Sequence, residues 1–363
     1  MAEISIRIFD LKPQSLRGKR YLEAQSDSKV IYHCYSSNPN REFQGLPDVS
    51  QGEWRLSTAS IPQTQLPLSD LTKTPWCVED RASDQSLRDR HYSPSPPEGK
   101  TRLAMVGDSF VRGEGVPIER CLPRQLEGLL GTDKFEVINA GFVGFGTEEE
   151  VTTVRRVSTK LKADRLILVF IPNDVRLTTA LLNRQELIND LINVRDEHLA
   201  RHNEKFWYYR ASRLIQFLGS FFELRQITRG TVKWYLDSYD PAFNEGGLRL
   251  LAGNFHTLAT IPGCRVAVVI YPLLVSLDSG YPLAPIHARV KKMAEDAGLP
   301  VLDLAPSFIE VKTSALQVHP CDHHPNGRAH AIAARAIHEW LVRDLPDFLT
   351  PSSGGEASPR ARP

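Results

Sequence analysis

From about residue 100 the chain alternates between short apolar runs and longer stretches whose apolar residues recur at helical spacing. The runs Leu103–Val106, Phe135–Asn139, Leu166–Ile171, Val266–Tyr271 and Val301–Leu304 predict buried strands. The stretches near Glu119–Leu130, Thr147–Leu161, Pro285–Ala297 and Asn326–Val342 predict helices. Pro285 suits the first turn of its helix, where a missing N–H costs nothing. This order predicts an α/β fold: a parallel sheet with helices on both faces. Between the third and fourth strands, residues 175–260 predict a helical insert with aromatic clusters at Phe206-Trp207-Tyr208-Tyr209 and Trp234-Tyr235. Two readings of the insert stand side by side: plain helical packing, or a cap that shapes a pocket.

Residues 1–97 follow a different pattern. They are rich in Pro, Ser, Asn and Gln, and carry short alternating runs such as Lys29-Val30-Ile31-Tyr32-His33-Cys34-Tyr35. Alternation of that kind predicts half-buried strands, hence a small β-rich accessory region. Ser93-Pro94-Ser95-Pro96-Pro97-Glu98-Gly99 reads as a linker into an α/β domain spanning 98–348. The tail 349–363, which includes the Pro351-Ser352-Ser353-Gly354-Gly355 run, reads as disordered.

Composition narrows the function classes. The 363 residues are 41% hydrophobic and 24% charged, with a formal net charge of +1. Such a balance provides no global basic field for nucleic acid or an anionic membrane. The five cysteines (Cys34, Cys77, Cys121, Cys264 and Cys321) are scattered without C-x-x-C spacing, so neither a zinc site nor a disulfide framework is expected. The N-terminus lacks a basic segment followed by an apolar core, and the apolar run around Val266–Val275 is interrupted by Pro272. The expectation is a soluble cytoplasmic protein. No G-x-S-x-G, H-E-x-x-H or phosphate-loop pattern occurs, and no nucleotide, flavin or metal cofactor is implied.

Four short blocks stand at strand ends or near the C-terminus, where open α/β sheets place their chemistry. They are Gly107-Asp108-Ser109-Phe110, Asn139 to Gly146, Pro172-Asn173-Asp174, and Asp322-His323-His324-Pro325-Asn326. A serine hydroxyl is a weak nucleophile until an imidazole takes its proton, which makes Ser109 the candidate nucleophile and His324 the candidate base. Asp322 is placed to fix the imidazole tautomer. A developing oxyanion needs preorganised donors: the Ser109 N–H, the Gly144 N–H and the Asn173 side-chain amide are the candidates. Asp108 reads as a second acid or, more simply, as a helix cap. Gly141 and Gly146 read as structural. Arg112 and Phe145 are candidates for the substrate pocket; Arg112 and Glu114, just past Ser109, either line it or sit in a solvated loop. The cluster His319, Cys321, Asp322, His323, His324 and His330 is rich in metal-ligating side chains, but neighbours in sequence rarely converge on one ion, so no metal site is expected there. Of these, His323 reads as a surface residue and His330 as one that packs. A neutral general base predicts activity rising between about pH 5 and 8.

The four blocks in this order resemble the SGNH hydrolases, or GDSL esterase/lipase family, over about residues 100–345. The match lies in GDSFVRGEGV (107–116), VINAGFVGFGT (137–147) and HPNGRAH (324–330). The resemblance implies a flavodoxin-like three-layer α/β/α fold. It also implies Ser109 as nucleophile, Gly144 and Asn173 in the oxyanion hole, and Asp322 with His324 completing the triad. The implied activity is hydrolysis of a small acyl ester, with an O-acetyl group on a carbohydrate or natural product as one substrate class. An O-acyltransferase with the same triad and a non-catalytic carbohydrate-binding protein are the alternatives. Two departures stand out: Ile171 occupies the glycine position of the usual G-x-N-D block, and Asp322 precedes His324 with D-x-H rather than D-x-x-H spacing.

Overall fold

The computed structural model describes residues 21–27, 30–35, 76–186, 212–319 and 322–350. The Phe206-to-Tyr209 cluster and the tail from Pro351 lie outside the described residues. Strands β1 (Tyr21–Asp27), β2 (Val30–Tyr35) and β3 (Trp76–Arg81) form an antiparallel sheet in that order. The chain continues through β4 (Thr101–Gly107), α1 (Ser109–Arg112), α2 (Leu122–Leu130), β5 (Phe135–Gly141), α3 (Thr147–Lys160) and β6 (Arg165–Phe170). Then come α4 (Arg213–Ser238), α5 (Pro241–Ala259), β7 (Arg265–Ile270), α6 (Ala284–Asp296) and β8 (Val301–Asp303). Last are β9 (Gln317–His319), β10 (Asp322–Pro325), α7 (Gly327–Asp344) and α8 (Pro346–Leu349).

The central sheet has five parallel strands in the order β5-β4-β6-β7-β8. Counted from β4, this is the 2-1-3-4-5 order of flavodoxin-like folds, with its reversal between β4 and β6. Strand alternation divides the core into two layers. Ala104, Val106, Leu166, Leu168, Val268 and Ile270 face α3, α5 and α6 through Val154, Phe255 and Val290. Leu103, Met105, Ile167, Val169, Ala267 and Val269 face α2 and α7 through Leu126, Ala333 and Ile337. The result is an α/β/α sandwich, as the periodicity predicts. The predicted strand and helix positions match the observed elements to within a few residues, except that the helix expected near Glu119 starts as a short 3-10 turn over Ile118–Arg120.

Residues 82–97, read from sequence as the end of the accessory region and its linker, pack on the sandwich. Leu87 and Tyr92 belong to the core layer facing α3. The Asp89 carboxylate accepts from the Asn139 N–H at 2.8 Å. Arg102, whose guanidinium is buried, donates to Ser93 O at 2.8 Å and Ser95 O at 3.0 Å and pairs with Glu136. A buried charge holds its place only when paired and hydrogen-bonded, so these carbonyls fix the segment against β4 and β5.

The insert contributes α4 and α5, with residues 179–186 helical ahead of them. Asp240 caps α5 by accepting from the Ala242 N–H at 2.9 Å, and Pro241 occupies the first turn. Among the described residues no helix is long and apolar enough to cross a membrane.

Candidate active site

The site begins where β4 stops. A Cβ on Gly107 would lie 2.9 Å from the Val169 carbonyl of β6 and 2.5 Å from Val111. Only bare backbone fits that crossing. Asp108 then turns the chain by accepting from the Phe110 N–H at 2.9 Å, which makes it the cap of α1. Under α1 lies Gly141: a Cβ there would sit 2.1 Å from the Arg112 nitrogen, so α1 rests directly on the end of β5. Ser109, the first residue of α1, is 7% exposed.

From the other end of the chain comes His324. Strands β9 and β10 pair antiparallel, with Asp322 opposite His319. Asn326 caps α7 by accepting from the Arg328 and Ala329 N–H groups at 3.0 Å. Its amide donates to Ala315 O and Gln317 O at 3.0 Å, which ties the β10–α7 corner down. His324 Nε2 then lies 2.9 Å from Ser109 Oγ across 215 residues of sequence. This is within proton-transfer reach. The Phe110 ring stands edge-on to the imidazole at 5.7 Å between centroids. A carboxylate also reaches the same nitrogen: Glu114 Oε2 lies 3.3 Å from Nε2. Glu114 is buried, not in a solvated loop.

The third block forms a tight loop after β6. Ile171 N–H donates to Asp174 Oδ2 at 2.6 Å, and the Asp174 N–H returns to Ile171 O at 3.0 Å. Ile171 is buried in the core layer facing α2 and α7, which accounts for an apolar residue at the glycine position. The insert grips this loop from outside. Tyr239 OH donates to Pro172 O at 2.9 Å, and Asn244 Nδ2 donates to Arg176 O at 2.9 Å. A Cβ on Gly247 would lie 2.1 Å from the same Arg176 carbonyl. Asn173 is exposed, with its amide 3.5 Å from Asp108 Oδ2. Gly144 adopts φ +73° in open space after β5, a conformation that favours glycine. Gly146 approaches the Asp174 carbonyl, where a Cβ would lie 3.1 Å away.

A cavity of about 470 Å³ opens beside these loops, lined by Gly144, Phe145, Asn173, Arg176, Trp234 and Asn254 among others. Phe145 therefore lines it, stacked on Phe142 with centroids 4.8 Å apart. Arg112, the other pocket candidate, is placed differently. Its guanidinium is buried and bound to Asp80 of β3, Nε to Oδ2 at 2.8 Å and Nη2 to Oδ1 at 2.6 Å. The bidentate pair makes Arg112 a structural tie between α1 and the N-terminal sheet.

Electrostatics sharpen the picture. Burial pushes the Asp108 carboxyl up to about 6, against the pull of the Phe110 N–H, the His324 charge and the Asn173 and Ser109 donors. Burial raises Glu150 and Asp174 well above the usual carboxylate range; the Asp108 and Glu149 charges add to the rise at Glu150, and the Glu150 and Asp108 charges to that at Asp174. Glu150 is fully buried in the first turns of α3, and among the described residues neither of its carboxyl oxygens has a hydrogen-bond partner. His330 on α7 is fully buried, and burial lowers it to about 3, so it stays neutral. His323 is exposed. Among the described residues no group of three or more His, Cys, Asp and Glu side chains is arranged to hold a metal ion.

The structure thus brings Ser109 and His324 together and sets the Asn173 loop beside Asp108. The Asp322 backbone lies in β10, two residues before the histidine. Sequence reading missed the approach of Glu114 to His324, the Asp80–Arg112 tie, the buried Glu150 and the grip of Tyr239 on the third block. Only the first had a local signal: Gly113 and Gly115 bracket Glu114 in a turn.

No family model matches the chain and no curated protein matches it. Solved structures do. A two-domain esterase described as active on acetylated mannans is 16% identical, covering 73% of this chain and 53% of that one, at a TM-score of 0.38. The chain therefore spans about half the length of that esterase. A putative lipolytic protein of the G-D-S-L family from Desulfitobacterium hafniense DCB-2 is 13% identical, with 66% of this chain and 99% of that chain covered, at a TM-score of 0.34. A lipase/acylhydrolase from Enterococcus faecalis is 15% identical, with 66% and 95% covered, at a TM-score of 0.32. The family that the motifs resemble is also represented among these neighbours. Fold and chemistry alike are argued from this chain's own strand order and residues.

Proposed function

We propose that the protein is a serine esterase that hydrolyses a small acyl ester. The observation that carries this reading is the 2.9 Å contact between Ser109 Oγ and His324 Nε2 at the carboxyl edge of the sheet, beside the β4/β6 reversal. Ser109 Oγ attacks the ester carbonyl as its proton passes to Nε2. The carbonyl electron pair moves onto oxygen. The imidazolium then returns the proton to the leaving alkoxide, and water repeats the cycle on the acyl-enzyme. Asp322 is the proposed orienting carboxylate.

The oxyanion is assigned to the Ser109 N–H, the Gly144 N–H and the Asn173 amide. Among the described residues, neither of the two backbone N–H groups donates to a protein acceptor, which leaves both available to substrate. The neighbouring cavity, with Phe145 in its wall, is the proposed place for the rest of the substrate. O-acetylated carbohydrates and short-chain esters are the compounds to screen first.

Intact-mass analysis after fluorophosphonate treatment, run alongside hydrolysis of p-nitrophenyl acetate, tests the reading. Wild type should gain one adduct and turn over the ester. Ser109→Ala should gain none and lose at least about three orders of magnitude in kcat. Wild-type rates in Ser109→Ala would overturn the assignment.

A further inference from the structure

We propose that Glu114 is a second carboxylate acting on His324: it faces Nε2, stabilises the imidazolium, and so sets the lower pH limit of the reaction. The proposal deepens the esterase reading and rests on it for its kinetic consequence, while its electrostatic part stands on geometry alone.

The chain is folded to put Glu114 there. Gly113 and Gly115 adopt φ +78° and +77° on either side of it. Gly113 caps α1 in the left-handed region, and both Gly113 and Glu114 donate backbone N–H groups to Ser109 O, at 3.0 and 3.2 Å. A Cβ on Gly113 would lie 2.5 Å from Cys121 Cβ, so the tight return is reserved for glycine. Arg88 then clamps the carbonyls around the turn. Its guanidinium donates to Arg112 O at 3.1 Å, to Gly113 O, and to Val116 O at 2.6 Å. A turn fixed by two left-handed glycines and a buried guanidinium presents the Glu114 carboxylate at 3.3 Å from Nε2.

One nitrogen therefore faces two oxygens of opposite demand. In the neutral imidazole, the Nε2 lone pair accepts the Ser109 hydroxyl proton, and the Glu114 carboxylate makes no hydrogen bond to it. Once Nε2 carries the proton, Glu114 becomes an acceptor for Nε2–H alongside Ser109 Oγ. The carboxylate thus favours the protonated form before substrate binds and again after Ser109 has given up its proton. The first effect removes base at low pH; the second stabilises the charge that builds during attack.

Of the other charged or titratable groups around the imidazole, Asp108 also attracts the His324 charge, and Glu114→Gln leaves that attraction in place. Asp108 lies behind Ser109, with its carboxyl bound to the Phe110 N–H and its own titration pushed up to about 6 by burial. His330 on α7 is held neutral, lowered to about 3 by burial. Asp322 precedes His324 by two residues on β10, and His323 is exposed.

The test is an NMR titration of the His324 ring in ¹⁵N-histidine-labelled full-length protein, assigned against His324→Gln. Glu114→Gln should lower the His324 midpoint by about one pH unit, the size expected when an opposite charge within hydrogen-bond reach is removed. Glu114→Asp, which keeps the charge on a shorter stem, should lower it by less. The acid limb of kcat/KM should move with the midpoint. An unchanged midpoint in both variants would overturn the proposal. Failure of the esterase reading looks different, since Ser109→Ala would retain turnover while the titration still reports the Glu114 effect.

Discussion

The two loops that meet at the site are held in opposite ways. The turn that carries Ser109 is fixed from within and below: Asp108 caps it, Gly107 and Gly141 let backbones touch, and Arg88 and Asp80 bind it from the segment just ahead of the sheet. The Asn173 loop is fixed from outside by the insert, through Tyr239 on Pro172 O and Asn244 on Arg176 O. The proposed nucleophile is thus built into the sandwich, whereas the loop that carries Asn173, one of the proposed oxyanion donors, is held by an inserted layer. Loss of the first support should show up as lost stability. Weakening the second should show up as lost rate in a protein that stays folded.

The largest expected effect comes from Arg88. Replacing it with Met strands three carbonyls and takes one guanidinium away from Asp80. Breaking a buried charge network of this type costs about 3–5 kcal/mol, to be read as a lowered midpoint in urea unfolding. A loss below about 1 kcal/mol would show that the Ser109 turn does not depend on this clamp. Tyr239→Phe is next. It removes one hydrogen bond, worth about 1 kcal/mol of stability, and should lower kcat about tenfold by letting Asn173 drift. Equal kcat in the two proteins would erase the distinction between the loops.

The smallest effect concerns Glu150. A carboxyl raised by burial holds its proton in the folded chain where the unfolded chain has lost it. Wild-type stability from this group is therefore greatest below the usual Glu range and declines as pH rises above about 4.5. Glu150→Gln cannot ionise and should flatten that decline, so its stability relative to wild type should rise between pH 4 and pH 8. Parallel stability curves for the two proteins would show that Glu150 is not the source of the slope.

Much of this arrangement was readable in the chain. Apolar runs marked the five strands because both faces of a parallel sheet are buried. The four blocks marked the carboxyl edge because each begins where such a run, or the last turn before a helix, ends. Asp108 as a cap and Gly141 as a packing glycine followed from local chemistry. What was not readable depends on contacts distant in sequence. The Asp80–Arg112 pair spans 32 residues and joins the N-terminal sheet to α1, so sequence alone left Arg112 as a candidate for the pocket. The Ser93 and Ser95 carbonyls that accept from Arg102 belong to a Pro-rich stretch whose composition is that of a linker. Glu114 reaches His324 only because two glycines turn it back, and a one-dimensional pattern does not say which way a turn points.

The most direct test is a crystal structure of the protein after phosphonylation. The account predicts phosphorus bonded to Ser109 Oγ, with a phosphoryl oxygen about 2.7–3.1 Å from the Ser109 N–H, the Gly144 N–H and the Asn173 amide nitrogens. His324 Nε2 should remain beside the adduct. An adduct on another residue, or on Ser109 with its oxygen turned away from all three donors, would contradict the account.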